Sequence, residues 1–306
     1  MKNVIKYYYN LDISKIVKKD KNYYFWLDNR KFYFFVFDRP LEDAKPLFEI
    51  TKQMINANLL VHEIIINKDK DIITTVNNIP YILMEVYINE EEKITITELV
   101  YFNRSTFNLR FPKALLRDNW TSLWESKIDY FEYQLAQLGK KYPLIVDSFS
   151  YFVGLSENAI SYIKFNRIDS SIYCINHRRI KSKDTMLELY NPLNFVIDYQ
   201  VRDFSEYVKT KFFEGYDVME IIKEYFRRNT LKVSELKLFY ARLLFPTYYF
   251  DVYDDILEGS RKEEDIILVF SKIGEYEQFL YEIWEYFLSF NIQIDIPDWI
   301  RKKHAL

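Results

Sequence analysis

Residues 176–179 read Asn176-His177-Arg178-Arg179, residues 191–198 read Asn191-Pro192-Leu193-Asn194-Phe195-Val196-Ile197-Asp198, and residues 202–207 read Arg202-Asp203-Phe204-Ser205-Glu206-Tyr207. Two brief apolar runs, Ile172 to Ile175 and Phe195 to Ile197, flank the polar stretch between them and predict short strands. Helical patterns lie on both sides. Before the runs, Trp120, Trp124, Ile128, Phe131, Leu135 and Leu138 step by three and four along one stripe, and Ser150 to Ile163 predicts a second helix. After them, Asp217 with Glu220 is a capping pair ahead of Ile221, Ile222 and Tyr225. Tyr276, Phe279, Leu280, Ile283 and Phe287 make a further amphipathic stripe.

The first part of the chain follows the other period. Tyr23 to Leu27 and Lys31 to Phe37 are aromatic-rich strands joined by Asp28-Asn29-Arg30. Asp38-Arg39-Pro40 opens a helix near 41–58, with Ala44, Leu47, Phe48 and Ile55 on one face. A second hairpin follows, Ile72 to Val76 and Tyr81 to Ile88, turning at Asn77-Asn78-Ile79-Pro80. Glu90-Glu91-Glu92-Lys93 is a polar break. The division is therefore a β-rich part with one helix over 1–90, and a mainly helical part with a short strand insert over 91–306.

Composition narrows the function. The chain has 306 residues, 42 Lys+Arg against 45 Asp+Glu, and a net charge of -3. That balance argues against a dedicated nucleic-acid binder. With one cysteine, Cys174, no internal disulfide forms, which fits synthesis in a reducing cytoplasm. Cys174 itself reads as a small buried hydrophobe. No apolar run is long enough to span a bilayer, so a soluble protein is expected. Aromatics reach 19%, spread along the whole chain, as an AT-rich coding sequence produces and a base-stacking platform does not. Of the five glycines the first is Gly139, so no Gly-rich phosphate loop can lie ahead of it. No Cys/His metal spacing and no G-x-S-x-G elbow occurs.

The segments above, with Asp147-Ser148-Phe149-Ser150-Tyr151-Phe152-Val153-Gly154-Leu155-Ser156-Glu157-Asn158-Ala159-Ile160 ahead of them, resemble the spore-coat-associated, kinase-like proteins of endospore-forming bacteria (the YutH/CotS type). The resemblance implies a two-lobed, protein-kinase-like α+β fold of the aminoglycoside phosphotransferase type, with a small antiparallel β lobe and a larger helical lobe. It also implies a place in spore coat assembly after cytoplasmic synthesis, with other coat proteins as partners and neither nucleic acid nor membrane.

Phosphoryl transfer needs a lysine and a loop on the ATP phosphates, carboxylates for metal, and a base for the acceptor hydroxyl. Laid on the family's enzymes, His177 matches the catalytic-loop histidine, but the catalytic Asp position is Arg179, which cannot accept a proton. The Asn position falls at Asp184, Asp198 matches the metal-binding Asp, and Asp203 with Arg202 matches the segment that braces the loop. The third strand should carry its lysine near its end, where Phe34-Phe35-Val36-Phe37 stands; Lys31 lies at its start. The expectation is a pseudokinase with no nucleotide or metal cofactor and a vestigial loop His177-Arg178-Arg179.

The alternative is a small-molecule phosphotransferase of the aminoglycoside or choline kinase-like type, using ATP and Mg²⁺ on Asp184 and Asp198. A carbohydrate- or peptide-binding cleft is a third reading. The simpler roles are a hydrogen-bonded loop histidine for His177, salt bridges to the arginines for Asp198, a helix cap for Asp203, a solvated turn for Glu90-Glu91-Glu92, and a solubilising tail for Arg301-Lys302-Lys303-His304. One of Arg178, Arg179 or Lys181 is expected to reach a carboxylate of Asp184, Asp198 or Asp203.

Overall fold

A computed structural model of the chain describes residues 1–87, 91–166, 168, 171–181 and 183–304. The elements run, in order, α1 (Lys2–Tyr9), β1 (Val17–Lys19), β2 (Asn22–Leu27), β3 (Arg30–Val36), α2 (Ala44–Asn56), β4 (Glu63–Ile65), β5 (Thr74–Val76) and β6 (Ile79–Val86). There follow α3 (Ile96–Ser105), α4 (Trp120–Leu138), α5 (Pro143–Phe165), β7 (Tyr173–His177), α6 (Met186–Leu189) and β8 (Phe195–Tyr199). The remainder is helical: α7 (Arg202–Phe213), α8 (Met219–Arg228), α9 (Val233–Leu244), α10 (Thr247–Leu257), α11 (Asp265–Ser271), α12 (Ile273–Ser289) and α13 (Asp298–His304). They form two compact units, Met1–Leu116 with Cys174–Asp198, and Arg117–Tyr173 with Tyr199–Leu306.

Unit 1 holds an antiparallel sheet in the order β1-β2-β3-β6-β4, with β5 also on β6. Both expected hairpins form, each through a two-residue turn. Asp28 and Asn29 have φ of 48° and 62°, Asn77 and Asn78 of 50° and 64°. Asx residues tolerate this left-handed conformation, and such turns match the twist of the flanking strands. Arg30, Ile79 and Pro80 therefore belong to strands rather than turns. Ile88 and Glu90 lie outside the described residues.

The β3–β6 register pairs Phe32 with Glu85 and Phe34 with Leu83 on one face, and Lys31 with Val86 and Tyr33 with Met84 on the other. On the first face, Phe25, Phe32, Phe34, Tyr81 and Leu83 form one buried cluster with Ile5 of α1 and Ile13. Tyr33, Ile82 and Met84, on the second face, are buried too. A sheet covered on both sides reads as a nearly continuous apolar run, which is what β3 shows.

The helix near 41–58 is present as a 3₁₀ turn at Leu41–Asp43 followed by α2. Its buried face is Ala44, Leu47, Ile50, Thr51 and Met54. The expected face is rotated: Ile55 is exposed, and the Phe48 ring carries the Lys52 ammonium 4.3 Å from its centroid. The terminal strands β1 and β4 and the helices α1 and α3 were not expected.

In unit 2 the α12 stripe is where the spacing puts it, and the α4 stripe holds over its first four residues, with Leu135 half-buried and Leu138 exposed near the helix end. α4 buries Trp120, Trp124, Ile128 and Phe131, and α12 buries Tyr276, Phe279, Leu280, Ile283 and Phe287. The aromatic wealth of the sequence becomes stacked core: Trp124 on Phe245 at 4.3 Å, Phe131 on Phe250 at 4.6 Å, Phe204 on Tyr225 at 3.6 Å. α5 begins earlier than Ser150, at Pro143, because a distant carboxylate caps it. Glu263 accepts from Leu144 N at 2.7 Å and Ile145 N at 3.2 Å. Of the pair ahead of Ile221, Asp217 does accept from Met219 N at 3.0 Å, whereas Glu220 binds Lys223.

Candidate functional site: the His177–Asp198 segment

β7 and β8 form a two-stranded sheet, and the polar stretch between them carries most of the candidate residues. β7 is fixed by the side chains that end α3. Asn103 Nδ2 donates to Ile175 O at 2.9 Å, and Ile175 N donates to Thr106 Oγ1 at 3.0 Å. Asn176 joins the two strands from within: its Nδ2 donates to Asp198 O at 3.1 Å and to Cys174 O at 3.3 Å. Cys174 is fully buried.

His177 is the last residue of β7, not a loop residue, and it is buried. Its Nε2 meets Leu189 O at 2.8 Å, and its ring centroid lies 5.1 Å from that of Phe102. The second histidine of unit 1 does the same work. His62 Nε2 meets Leu187 O at 3.1 Å, and His62 N donates to Tyr190 O at 3.0 Å. Carbonyl oxygens at the end of α6 have no helical partner of their own, so these imidazole N–H groups satisfy them. Burial pushes the His62 pKa down to about 4, against a small upward pull from its bond to Leu187, so its ring is neutral at pH 7. His62 was not singled out from sequence.

The turn after His177 closes on itself. Arg178 N donates to Asn194 O at 2.7 Å, and Asn194 Nδ2 donates to Arg179 O at 3.2 Å. The Arg178 guanidinium pairs with Asp38 at 2.9 Å. Arg39, next to it, is buried and forked: two of its nitrogens reach Asp43 Oδ2 at 2.8 and 2.9 Å, and Nη1 donates to Leu193 O at 3.1 Å and Phe195 O at 2.7 Å. The start of α2 thus grips both sides of the segment. Asp38 and Arg39 entered the sequence reading only as a helix opening; a charged pair before a helix-starting proline was the available signal.

Asp184 accepts from the Lys181 backbone N–H at 2.7 Å, not from the lysine ammonium. Burial raises its pKa, with the Lys181 N–H bond opposing. Thr185 and Glu188 then form a capping box that starts α6. Asp198 is fully buried within β8. Magnesium keeps one or two carboxylates, with waters and phosphates completing its shell. The Asp184 carboxylate is engaged in its own turn. Among the described residues no group of three or more His, Cys, Asp or Glu side chains is gathered as a self-sufficient metal site.

In the stretch Phe34-Phe35-Val36-Phe37, where a lysine was expected, Phe34, Phe35 and Phe37 are buried. Lys31 lies elsewhere on the strand, its ammonium 4.8 Å from the Tyr24 ring centroid and 5.3 Å from those of Trp26 and Tyr33. In unit 2, Arg202 and Asp203 open α7 and are buried; the residue at its N-cap position is Val201. Glu91 and Glu92 are exposed. Of the C-terminal cations, Arg301, Lys302 and Lys303 are exposed on α13, and Lys303 pairs with the buried Glu277.

The fold is shared with phosphotransferases. An aminoglycoside phosphotransferase from Alicyclobacillus acidocaldarius superposes with a TM-score of 0.66 at 11% identity, covering 94% of this chain and 96% of that one. A spectinomycin phosphotransferase solved with ADP and spectinomycin gives 0.57 at 12% identity, covering 90% and 92%. The class is therefore the two-lobed, aminoglycoside phosphotransferase-like kinase fold, α+β, with an antiparallel β lobe and a larger helical one. Residues 2–283 match the family described as "Spore coat putative kinase YutH", and the chain belongs to that family. The endospore coat-associated protein YutH of Bacillus subtilis (strain 168) is 29% identical over 188 residues. That alignment spans 53% of this chain and 54% of the relative, about half of each. No helix among the described residues is long and apolar enough to cross a membrane.

Proposed function

We propose that the chain is a catalytically degenerate kinase-like protein, a pseudokinase, that works as a binding or structural component of the spore coat after synthesis in the cytoplasm, beside other coat proteins. The observation that carries the reading is β3. The end of the strand, where the resemblance expects a phosphate lysine, is the apolar stretch Phe34-Phe35-Val36-Phe37, and the one lysine of the strand, Lys31, points its ammonium at three aromatic rings. Cation–π contacts of this kind compete with a phosphate for the same charge. Arg179 at the base position, and no glycine ahead of Gly139, tell in the same direction.

The second reading, an ATP- and Mg²⁺-dependent phosphotransferase, draws on Asp198, which keeps a carboxylate at the end of β8. Thermal unfolding with millimolar ATP, with and without Mg²⁺, separates the two. A ligand at one hundred times its Kd stabilises the folded state by about 2.7 kcal/mol, a readily measured rise in Tm. We expect no rise. A saturable, Mg²⁺-dependent rise transfers the chain to the second reading.

A further inference from the structure

A cavity of about 320 Å³ opens in unit 2 between the end of α8, the connection to α9 and the end of α12. That volume and its mainly apolar lining are those of a small-ligand pocket. Its walls are aromatic. The Phe226 and Tyr286 rings lie nearly parallel with centroids 6.3 Å apart, Phe287 is 5.4 Å from Phe226, and Phe290 meets Tyr286 edge-on at 5.1 Å. Leu236 forms the buried floor, while Phe290 is 61% exposed. An aromatic ring left that open at the mouth of a cavity has contact area to offer a flat ligand.

The rim decides which end of a ligand it would take. Arg227, Asn229 and Thr230 are the polar lining residues. Arg227 makes no ion pair with any described residue; only its Nε is used, in a long bond to Lys223 O at 3.4 Å. Its terminal nitrogens remain as donors. Thr230 has no hydrogen-bond partner for its hydroxyl among the described residues. Asn229 spends its backbone N–H and Nδ2 on Tyr225 O, at 3.0 and 2.9 Å.

Carbonyls at the end of α12 are similarly taken. Phe287 O accepts from Phe290 N and Ile292 N, and Leu288 O accepts from Asn291 N. An anionic head meets the terminal nitrogens of the Arg227 guanidinium and the Thr230 hydroxyl at the rim. We propose that this cavity is a binding site for a small aromatic carboxylate, its ring between Phe226, Tyr286 and Phe290 and its carboxylate on Arg227. Guanidinium–carboxylate pairing is planar and directional, which suits a ligand whose ring plane is fixed by stacking.

The test uses the full chain and two probes of equal shape, phenylpropionate and phenylpropanol, followed by isothermal titration and by protein-observed NMR. At low ionic strength the acid should bind saturably at millimolar concentration or below, roughly ten-fold tighter than the alcohol, since the discrimination comes from a charge-assisted contact at a partly solvated rim. Resonances of Phe290 and Ile292 should move. Arg227→Gln should bring the two probes to within about two-fold by removing that charge. Thr230→Trp, at an exposed rim position, should weaken both by plugging the mouth. No saturable binding of the acid overturns the proposal. So does equal binding of acid and alcohol by the unaltered chain, an Arg227→Gln variant that preserves the preference, or shifts confined to other parts of the chain. Neither variant touches the β3 or loop residues on which the pseudokinase reading rests, so the two can fail separately.

Discussion

Unit 1 and unit 2 both keep polar groups inside a folded chain, and they differ in how much charge they gather there. Unit 1 buries an uncharged imidazole, His62, and the ion pair of Arg39 with Asp43, and leaves the Arg178–Asp38 pair at the surface, with Arg178 40% and Asp38 75% exposed. Unit 2 buries a larger charged network. Lys209, 1% exposed, donates to Glu206 at 3.0 Å, Arg242 O at 2.9 Å, Phe245 O at 3.1 Å and Thr247 Oγ1 at 2.6 Å. Thr247 passes its own proton on to Glu206 Oε2 at 2.7 Å, and Arg242 Nε reaches Glu206 Oε1 at 2.6 Å. The Arg242 guanidinium lies 4.9 Å from the Trp120 ring centroid. The residues that look like chemistry in the sequence form the weaker arrangement, and the stronger one is assembled from helices α7, α9 and α10.

The largest expected effect follows from the buried network. Desolvating each ion costs several kcal/mol, and only complete pairing offsets it. Lys209→Met strands two carbonyls, Arg242 O and Phe245 O, and leaves Glu206 with only Arg242 and the Thr247 hydroxyl. We expect a loss of about 3–5 kcal/mol in urea unfolding, a large share of the total for a domain. Thr247→Val keeps both charges and should cost about 1–2 kcal/mol. A Lys209→Met variant within about 1 kcal/mol of the parent would erase the contrast between the units.

The neutral peg of unit 1 gives the next effect, and its sign is fixed. Burial holds the folded-state pKa of His62 at about 4, below the unfolded 6.5. Between those values the unfolded chain binds a proton that the folded chain does not, so stability rises with pH across the window and falls as pH drops from 6.5 towards 4. From pH 7 to pH 5 this one group should remove about 2 kcal/mol. His62→Gln retains an N–H donor for Leu187 O and should flatten the slope. Parallel slopes for parent and variant would show that acid acts through other groups.

How much of this was legible depends on whether the cause is local. The stripes of α4 and α12 and the two Asx turns could be read because each is set by residues within a few positions. The start of α5 could not, since its cap is Glu263, 119 residues after Leu144. Arg39 was opaque for the same reason: its carbonyl acceptors lie 154 and 156 residues away. Two capping boxes, Thr95-Ile96-Thr97-Glu98 and Thr185-Met186-Leu187-Glu188, were readable signals left unused. Of the candidate site, Asn176-His177 and Phe195–Asp198 do fall on paired strands, with Arg178 and Arg179 in the turn that follows the first. Their partners Asp38, Arg39 and Asn103 are non-local and had no mark in the motif.

The smallest effect is expected where the sequence drew most attention. Asp38 and Arg178 are both long-range and both solvated, so their attraction is spent largely against water and side-chain entropy. The turn they sit on is already closed by Arg178 N to Asn194 O, by Asn194 Nδ2 to Arg179 O, and by the buried Arg39 fork on Leu193 O and Phe195 O. A double-mutant cycle with Asp38→Asn and Arg178→Gln should therefore give a coupling of about 0.2–1 kcal/mol, fading as salt is added. Arg39→Gln, by comparison, removes donors from two backbone carbonyls and leaves Asp43 buried without its cation, so its cost should exceed either change at the surface. If the cycle returned a coupling above about 2 kcal/mol that survived high salt, the Asp38–Arg178 pair would be behaving as a buried one. The shape of the loop would then rest on Arg178 as well as on the buried Arg39 fork.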